Sequence, residues 1–211
     1  MSSTPTAHVE SVDFVMLYIV GISVVLLLGI TATMIYFVFK YNRKKGHQPV
    51  DIHGNFWLEL IWIAIPTVLV LSMFYFGYTS FREIRDIPAN AFKVKVEAMM
   101  WKFTFKYENG KQTDTLYVPI NTPVHLEMTS MDVNHAFFIP AFRIKEDVIH
   151  NKVNNLYFKP EKLGKYDVAC AEYCGLKHSM MYTAVKVLPK QEFDNWYAVK
   201  TNAVPNVSEV K

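Results

Sequence analysis

The sequence predicts a two-helix transmembrane hairpin followed by an all-β domain. Two uncharged apolar runs, residues 14–39 and 60–81, are each long enough to cross a bilayer as a helix. From residue 92 onward the pattern changes to short alternating runs rich in β-branched and aromatic residues, which is typical of strands. The first part of the chain therefore suits lipid, and the second part suits water.

Composition agrees with a membrane-anchored chain. Hydrophobic residues make up 51% of the 211 residues and the mean hydropathy is +0.10, which is high for a soluble protein. The run at 14–39 is too long for a cleaved signal peptide, and Glu10 and Asp13 precede it where a signal peptide carries basic residues. The net charge of +3 is small and mixed in sign, so nucleic acid is not an expected partner.

Turn signals and charge changes set the segment boundaries. We expect a polar N-terminal lead (1–13), transmembrane helix 1 (14–39), a cytoplasmic loop (40–55), transmembrane helix 2 (56–81), the β domain (90–200) and a flexible tail (201–211). Within the β domain, NG, NTP and KLG turn signals separate the strand-like runs. This spacing predicts an antiparallel sandwich or small barrel.

The loop between the two apolar runs sets the orientation in the membrane. It carries Lys40, Arg43, Lys44 and Lys45, whereas residues 1–13 contain no lysine or arginine. Because short cytoplasmic loops are enriched in basic residues, the loop is predicted to be cytoplasmic. Both termini and the β domain are then predicted to lie on the outer side.

A segment with potential metal ligands, CAEYCGLKHSMM, spans residues 170–181 and contains both cysteines of the chain. A thiolate, an imidazole and a thioether on one short loop are the ligands that a blue-copper site takes from its C-terminal loop. The second thiolate would let two sulfurs bridge two metal ions. A Cys170–Cys174 disulfide and a tetrahedral zinc site are the alternatives, although zinc leaves Met181 without a role.

Such a site needs one more histidine from elsewhere among the seven in the chain. His8 falls in the polar lead, and His47 and His53 fall on the cytoplasmic side. His125 alternates with Glu127 in a predicted strand and is expected to face solvent. His135 and His150 remain as candidates.

Four separated segments resemble subunit 2 of cytochrome c oxidase, the haem-copper respiratory oxidase. They are ELIWIAIP (59–66), AMMWKFTFKY (98–107), DVNHAFFIPAFRIKED (132–147) and CAEYCGLKHSMM (170–181). The resemblance implies a cupredoxin-like Greek-key sandwich or barrel on the outer side of the membrane. It also implies a subunit that accepts electrons from a c-type cytochrome at a dinuclear copper centre, CuA. The electrons then pass to haem in catalytic subunit 1, where oxygen is reduced to water with proton translocation.

The resemblance also implies roles for individual residues. The copper ligands would be His135, Cys170, Cys174, His178, Met181 and the backbone carbonyl of Glu172. The side chain of Glu172 would reach a magnesium ion shared with the catalytic subunit, and its hard carboxylate suits that ion. Under this assignment His150 is a surface or interface residue.

Two further positions match residues with roles in electron and proton transfer. Trp101 corresponds to the tryptophan through which electrons enter, and Glu59 to the entrance of a proton path into the catalytic subunit. Around Trp101 the chain departs from the family. The usual aromatic cluster is thinned to Met100, Trp101, Lys102 and Phe103, and Lys102 and Lys106 add positive charge. We therefore expect a less charged or tethered cytochrome as the donor.

Two rival functions differ from this expectation in identifiable ways. A quinol oxidase subunit 2 has the same architecture without copper, and it would lack the two cysteines. A membrane-anchored copper carrier or sensor would need neither Glu59 nor Trp101. The C-x-x-C-H motif for haem attachment is absent from the sequence. A bacterial inner membrane is expected in preference to a mitochondrial one, because the chain diverges from the mitochondrial pattern.

Overall fold

The structure is a computed structural model, and it describes residues 4–46, 48, 51 and 53–199. The chain divides into two compact units. The helical unit is Ser11–Phe81, and the β unit combines Met1–Glu10 with Arg82–Lys211, within the described residues.

Two long helices form the helical unit, α1 (Ala7–Lys40) and α2 (Phe56–Arg85). Both are long and apolar enough to cross a membrane, with mean hydropathies of 2.6 and 2.0 in their most apolar stretches. They pack side by side where the Tyr18 hydroxyl lies 2.7 Å from Ser72 Oγ and the Phe14 ring meets Phe76 edge-on. These two contacts pair the start of α1 with the later part of α2, as an antiparallel hairpin requires.

Polar side chains define the ends of the connecting loop. The side chain of Asn42 accepts a hydrogen bond from Lys44 N and caps a short 3₁₀ turn, Arg43–Lys45. Gly46 then adopts a left-handed conformation at φ 69°, which ends the turn. At the other end, Asn55 Oδ1 accepts hydrogen bonds from Trp57 N and Leu58 N and starts α2. The prediction for His47 lies outside the described residues.

The described part of the β unit contains ten strands. In chain order, β1 to β10 are Phe92–Met99, Lys102–Tyr107, Gln112–Thr113, Leu116–Pro119, Val124–Ser130, His135–Ile139, Ile144–Val148, Asn154–Phe158, Gly164–Cys170 and Tyr182–Leu188. They form two five-stranded sheets with the orders β3-β2-β1-β5-β8 and β4-β10-β9-β6-β7. Buried and partly exposed residues alternate along β5, so one face of its sheet packs inward. The two inward faces make one hydrophobic core.

Two strand pairs differ from the predicted antiparallel arrangement. β1 pairs with β5 in parallel, and β10 pairs with β4 in parallel. Parallel neighbours need a connection that crosses over, and here the intervening strands supply it. Local turn signals report only hairpins between consecutive strands, so they could not predict these pairings.

A short helix, α3 (Lys190–Ala198), follows the last strand. Its Trp196 ring stacks on Tyr117 at a centroid distance of 4.6 Å. Its Phe193 ring meets Phe92 edge-on. The buried Lys111 ammonium donates to Trp196 O, so a long-range polar contact also holds α3 on the sandwich.

The start of the chain corrects the predicted polar lead. α1 begins at Ala7 instead of residue 14, and Thr6 forms a bridge with Pro160. Glu161 N donates to Pro5 O at 2.8 Å, and the buried His8 ring meets Tyr157 edge-on. Backbone hydrogen bonds hold this segment on the β unit. Because such bonds do not depend on side chains, the pattern of apolar residues did not predict the contact. Residues 1–3 and 200–211 lie outside the described part, so the flexible tail at 201–211 stays a prediction.

The aromatic core predicts how strongly the sandwich depends on single rings. Phe105 is fully buried and packs edge-on against Phe137 on the facing sheet. We expect Phe105→Ala to lower the free energy of unfolding by about 3–5 kcal/mol, because it leaves a cavity between the sheets. Urea unfolding of the full chain in detergent, followed by tryptophan fluorescence, measures this. The control is Leu163→Ala, an exposed position, for which a comparable loss would contradict the prediction.

Candidate metal centre

The loop between β9 and β10 is fixed at both ends. Cys170 is the last residue of β9, and its backbone N–H donates to Met181 O at 3.0 Å. Between them, His178 N donates to Gly175 O, and Met181 N donates to His178 O in a short 3₁₀ turn. Backbone hydrogen bonds therefore hold the predicted metal-binding segment in a defined conformation.

A neighbouring strand brings the upstream histidine to this loop. His135 opens β6, which pairs with β9 so that Phe137 lies opposite Cys170. Ala171 N donates to Ala136 O at 3.1 Å, which extends the pairing past the end of β9. His135 is fully buried, and its Nδ1 lies 3.8 Å from Cys170 Sγ. Of the two histidines left open by the sequence, the structure brings His135 to the cysteines.

The two sulfurs lie next to each other without a bond. Cys170 Sγ and Cys174 Sγ are 3.7 Å apart, and both cysteines are free and buried. A disulfide requires about 2.05 Å between the sulfurs. The disulfide alternative therefore does not describe this structure. A metal–thiolate bond of about 2.3 Å, as for zinc, lets one ion reach both sulfurs across this gap.

The remaining donors approach the sulfur pair from different positions. His178 Nδ1 lies 3.6 Å and Met181 Sδ 3.8 Å from Cys174 Sγ, and Glu172 O lies 3.3 Å from Cys170 Sγ. Met181 is fully buried, whereas the neighbouring Met180 is largely exposed. The Glu172 side chain is exposed, so its carboxylate faces solvent while its backbone carbonyl faces Cys170. All six predicted copper-binding residues come together.

The arrangement of the histidines argues against a single tetrahedral ion. Ligand atoms of His135, Cys170 and Cys174 all lie within 4.8 Å of one another, and His178 is outside that group. Tetrahedral zinc with four such ligands needs ligand atoms under about 4 Å apart. Each histidine instead accompanies a different sulfur. The donor set, with two thiolates, two imidazoles and a thioether, suits soft metal ions.

Asp132 orients His135. Its Oδ1 lies 2.8 Å from His135 Nε2, so Nε2 carries the donated proton and Nδ1 is left as the ligand atom toward Cys170. Burial alone would raise the pKa of Asp132. The N–H of Met100, the His135 ring and the N–H of Val133 outweigh this effect and hold its pKa below the ordinary value. Asp132 is therefore an ionised acceptor that fixes the ring.

The local electrostatics disfavour a thiolate pair in the absence of a cation. Burial raises the pKa of the Cys174 thiol to about 11, and the hydrogen bond and charge of Cys170 act in the same direction. Two thiolates this close repel each other, and a positive ion between them removes that penalty. The sulfur pair is thus suited to bind a cation and poorly suited to ionise alone.

Trp101 lies against the metal-binding loop. A Cβ placed on Gly175 would lie 3.6 Å from two atoms of the Trp101 ring, so the indole packs on the backbone beside Cys174. The Lys177 ammonium stands 5.7 Å from the centroid of the same ring. Trp101 is half-buried and packs on the core. Trp101 therefore contacts the metal-binding loop and is also partly exposed to solvent.

Glu59 lies in the helical unit, in the first turn of α2. It is exposed, and its backbone N–H donates to Asn55 O at 3.0 Å. A carboxylate here interacts favourably with the N-terminal end of the helix dipole, which is a sufficient structural reason for an acid. A proton-transfer role must therefore be tested separately from that stabilisation.

Sequence reasoning missed three contacts of the site. They are the Asp132–His135 hydrogen bond, the packing of Gly175 on Trp101 and the position of Lys177 over that ring. An acid three residues before a ligand histidine was the available signal for the first contact. The other two depend on the hairpin between β1 and β2 meeting a loop over 70 residues away, for which no local signal exists. Tyr173 is 77% exposed, and its ring meets His178 edge-on.

Comparisons with known proteins give the same family for both units. A family profile described as "Cytochrome C oxidase subunit II, periplasmic domain" matches residues 69–188, and one described as "Cytochrome C oxidase subunit II, transmembrane domain" matches residues 1–82. Cytochrome c oxidase subunit 2 of Synechocystis is 27% identical and covers 96% of this chain and 76% of its own length. The probable cytochrome c oxidase subunit 2 of Rickettsia bellii is 26% identical and covers 90% of this chain and 79% of its own length.

A solved structure gives the same result for the β unit. The crystal structure of the periplasmic domain of subunit II of cytochrome oxidase (CoxB) of Bradyrhizobium japonicum is 29% identical, with a TM-score of 0.50. It covers 53% of this chain and 94% of that protein chain. The predicted fold class, an apolar helical hairpin followed by a cupredoxin-like β domain, is confirmed. The chain belongs to the cytochrome c oxidase subunit II family and is a subunit of that oxidoreductase.

Proposed function

We propose that this chain is the subunit through which electrons enter a haem-copper terminal oxidase. It receives electrons from a c-type cytochrome at a dinuclear copper centre and delivers them to haem in the catalytic subunit, where oxygen is reduced and protons are translocated. The observation that carries this proposal is the convergence of four further donor residues on the buried, unbonded pair of cysteine sulfurs. Membership of the subunit II family supports it.

The copper ligands in this proposal are His135, Cys170, Glu172 (through its carbonyl), Cys174, His178 and Met181. A dinuclear copper centre held by these residues would supply one-electron transfer. The protein holds the donors in place through the β9–β10 pairing and the β6–β9 pairing. Because His135 and Met181 are fully buried, water is excluded from one side of the site, which helps set its reduction potential.

Glu172 connects this site to the rest of the enzyme. Its exposed carboxylate is a hard ligand and suits magnesium better than copper. Among the described residues, the cluster able to hold a metal is that of His135 and the cysteines. We therefore infer that Glu172 contributes one ligand to a magnesium ion completed by residues of the catalytic subunit.

The membrane topology completes the proposal. We place the turn with Lys40 and Arg43–Lys45 in the cytoplasm, and the β unit on the outer side, in the periplasm if the membrane is bacterial. Glu59 then stands at the cytoplasmic end of α2, where it is suited to deliver protons to the catalytic subunit. The surrounding bilayer covers the apolar helical unit.

A membrane-anchored copper carrier or sensor is the second candidate. The donor set alone suits it, because a carrier also needs soft ligands. A carrier purifies alone with exchangeable copper, whereas an oxidase subunit purifies with haem-bearing partners. Purification of the native complex and its haem spectrum therefore separate the two functions.

The copper assignment predicts different results for two adjacent methionines. Met181→Leu should change the reduction potential of the centre, because it removes a weak ligand, while Met180→Leu should leave it unchanged, because that side chain is exposed. Cys174→Ser should remove the dinuclear signal, because one bridging sulfur is lost. Copper analysis and low-temperature EPR of the purified complex measure these effects. The native complex should show the hyperfine pattern of one electron shared by two equivalent copper nuclei, and a signal of isolated copper would refute the assignment.

Trp101 is predicted to carry electrons from the docked cytochrome to the copper loop. Trp101→Phe should slow reduction of the copper centre on the order of tenfold or more, because the smaller ring loses contact with Gly175. Stopped-flow mixing with a reduced c-type cytochrome measures the rate. Trp196→Phe is the matched control, since Trp196 belongs to α3 and stacks on Tyr117, not on the metal-binding loop. Equal rates for both variants would exclude the role.

Glu59→Gln is predicted to slow steady-state oxygen consumption several-fold while reduction of the copper centre keeps its native rate. The reason is that glutamine can still lie in the first turn of α2 but cannot transfer a proton. Glu59→Asp keeps the acid and should retain most of the activity. If Glu59 only stabilises the helix dipole, worth about 0.3–1 kcal/mol, Glu59→Gln will turn over oxygen like the native enzyme.

A further inference from the structure

We propose that the donor cytochrome docks on this subunit through an apolar, methionine-rich face and presents carboxylates to it. The inference rests on the proposed function and names the kind of c-type cytochrome that the site accepts. The methionine face consists of Met99, Met100, Trp101, Met131 and Val133. Its charged rim consists of Lys102 and Lys177.

The members of the methionine face are held side by side. Met131 N donates to Ala98 O at 2.9 Å, and Met100 N donates to Asp132 Oδ2 at 2.7 Å. These bonds join the tip of the β1–β2 hairpin to the 131–133 loop. Trp101 adds the metal-binding loop through its contact with Gly175. Three separate segments thus form one surface that leads to the copper ligands.

This surface is apolar although much of it faces solvent. Met131 is 56% exposed and Met100 is 45% exposed, and Met99 and Val133 are also exposed. Exposed apolar groups gathered in one place mark interaction sites in soluble domains. Methionine side chains are flexible and polarisable, so they suit a partner that binds briefly and leaves. A partner that delivers one electron and departs meets that description.

The charge around the face is positive. Lys102 is exposed beside Trp101, and the Lys177 ammonium stands over the Trp101 ring. The segments 99–102, 131–133 and 175–177 contain one acid, Asp132, and its carboxylate already accepts bonds from Met100 N, Val133 N and the His135 ring. The next acid along β1, Glu97, is paired with Lys106. The face therefore presents two cations and no outward carboxylate from these segments.

Charge complementarity selects the partner. The sequence predicts a less charged or tethered donor, and the surroundings of Trp101 point instead to one that carries carboxylates. A lysine-rich cytochrome would bring like charges to Lys102 and Lys177, which slows encounter and disfavours docking. A cytochrome with an apolar haem edge surrounded by carboxylates would match both the methionines and the rim. Opposite charges would then steer encounter, and burial of the methionines would hold the pair together.

The test uses the purified oxidase complex and two donors, an acidic c-type cytochrome of negative net charge and a basic cytochrome c of positive net charge. We expect a higher kcat/KM for the acidic donor at low salt. Its kcat/KM should fall as salt rises from about 10 mM to 0.15 M, because the Debye length shrinks from about 30 Å to 8 Å. The rate with the basic donor should stay flat or rise. A preference for the basic donor that weakens with salt would overturn the proposal.

Variants locate the effect on the face. Lys102→Glu and Lys177→Glu should each lower kcat/KM for the acidic donor by roughly tenfold at low salt. Lys165→Glu is the control, an exposed lysine at the start of β9, far along the strand from Cys170. Met131→Gln should raise KM for the acidic donor with kcat little changed, because it weakens docking only. The proposal is contradicted if Lys102→Glu, Lys177→Glu and Met131→Gln all behave like the native complex with the acidic donor.

A small uncharged dye that reduces copper without docking separates this inference from the proposed function. If the dye supports oxygen consumption and the dinuclear EPR signal is present, a preference for the basic cytochrome overturns only the proposed docking on the methionine face. If the dye gives no oxygen consumption and the signal is absent, the proposed function fails and the docking face fails with it. The same dye assay on Lys177→Glu confirms that the metal-binding loop is intact in that variant.

Discussion

The approach of two buried sulfurs to 3.7 Å without a bond is the constraint on which the rest of the site depends. The Cys174 thiol resists ionisation here, because burial and the neighbouring Cys170 raise its pKa. The two sulfurs also lie too far apart for a disulfide. A fold that holds them there must fix the backbone on both sides of the loop. It does so through the paired strands β9 and β10, which fix the loop at Cys170 and Met181.

A β sandwich suits this task because its strands fix residues that are distant in sequence. His135 comes to the loop through the pairing of β6 with β9, and the register places Phe137 opposite Cys170. Phe137 in turn packs edge-on against Phe103 and Phe105 of the other sheet. The position of His135 thus depends on the aromatic core, which resists deformation as close-packed interiors do.

The local part of the site could be predicted from sequence, since Cys170, Cys174, His178 and Met181 share one segment with telling spacing. The choice of His135 needed more, because spacing alone left His150 open. The family resemblance favoured His135, and the strand pairing brings it to the cysteines. The two membrane-length helices could also be predicted, because hydropathy marks them directly. The docked segment at 5–9 and the parallel pairs could not, because backbone hydrogen bonds and crossovers leave little trace in side-chain pattern. Contacts such as Asp132 with His135 required the folded chain.

Gly175 shows how the metal-binding loop and the methionine face constrain each other. Its φ of 112° is a conformation that side-chain-bearing residues rarely adopt, so the turn after Cys174 depends on glycine. The Trp101 ring lies against the same residue, at a distance that leaves ordinary van der Waals room for a Cβ. A larger residue would therefore strain the turn through its backbone and not through a clash with the tryptophan. One backbone position thus shapes the loop that carries Cys174 and also touches the methionine face.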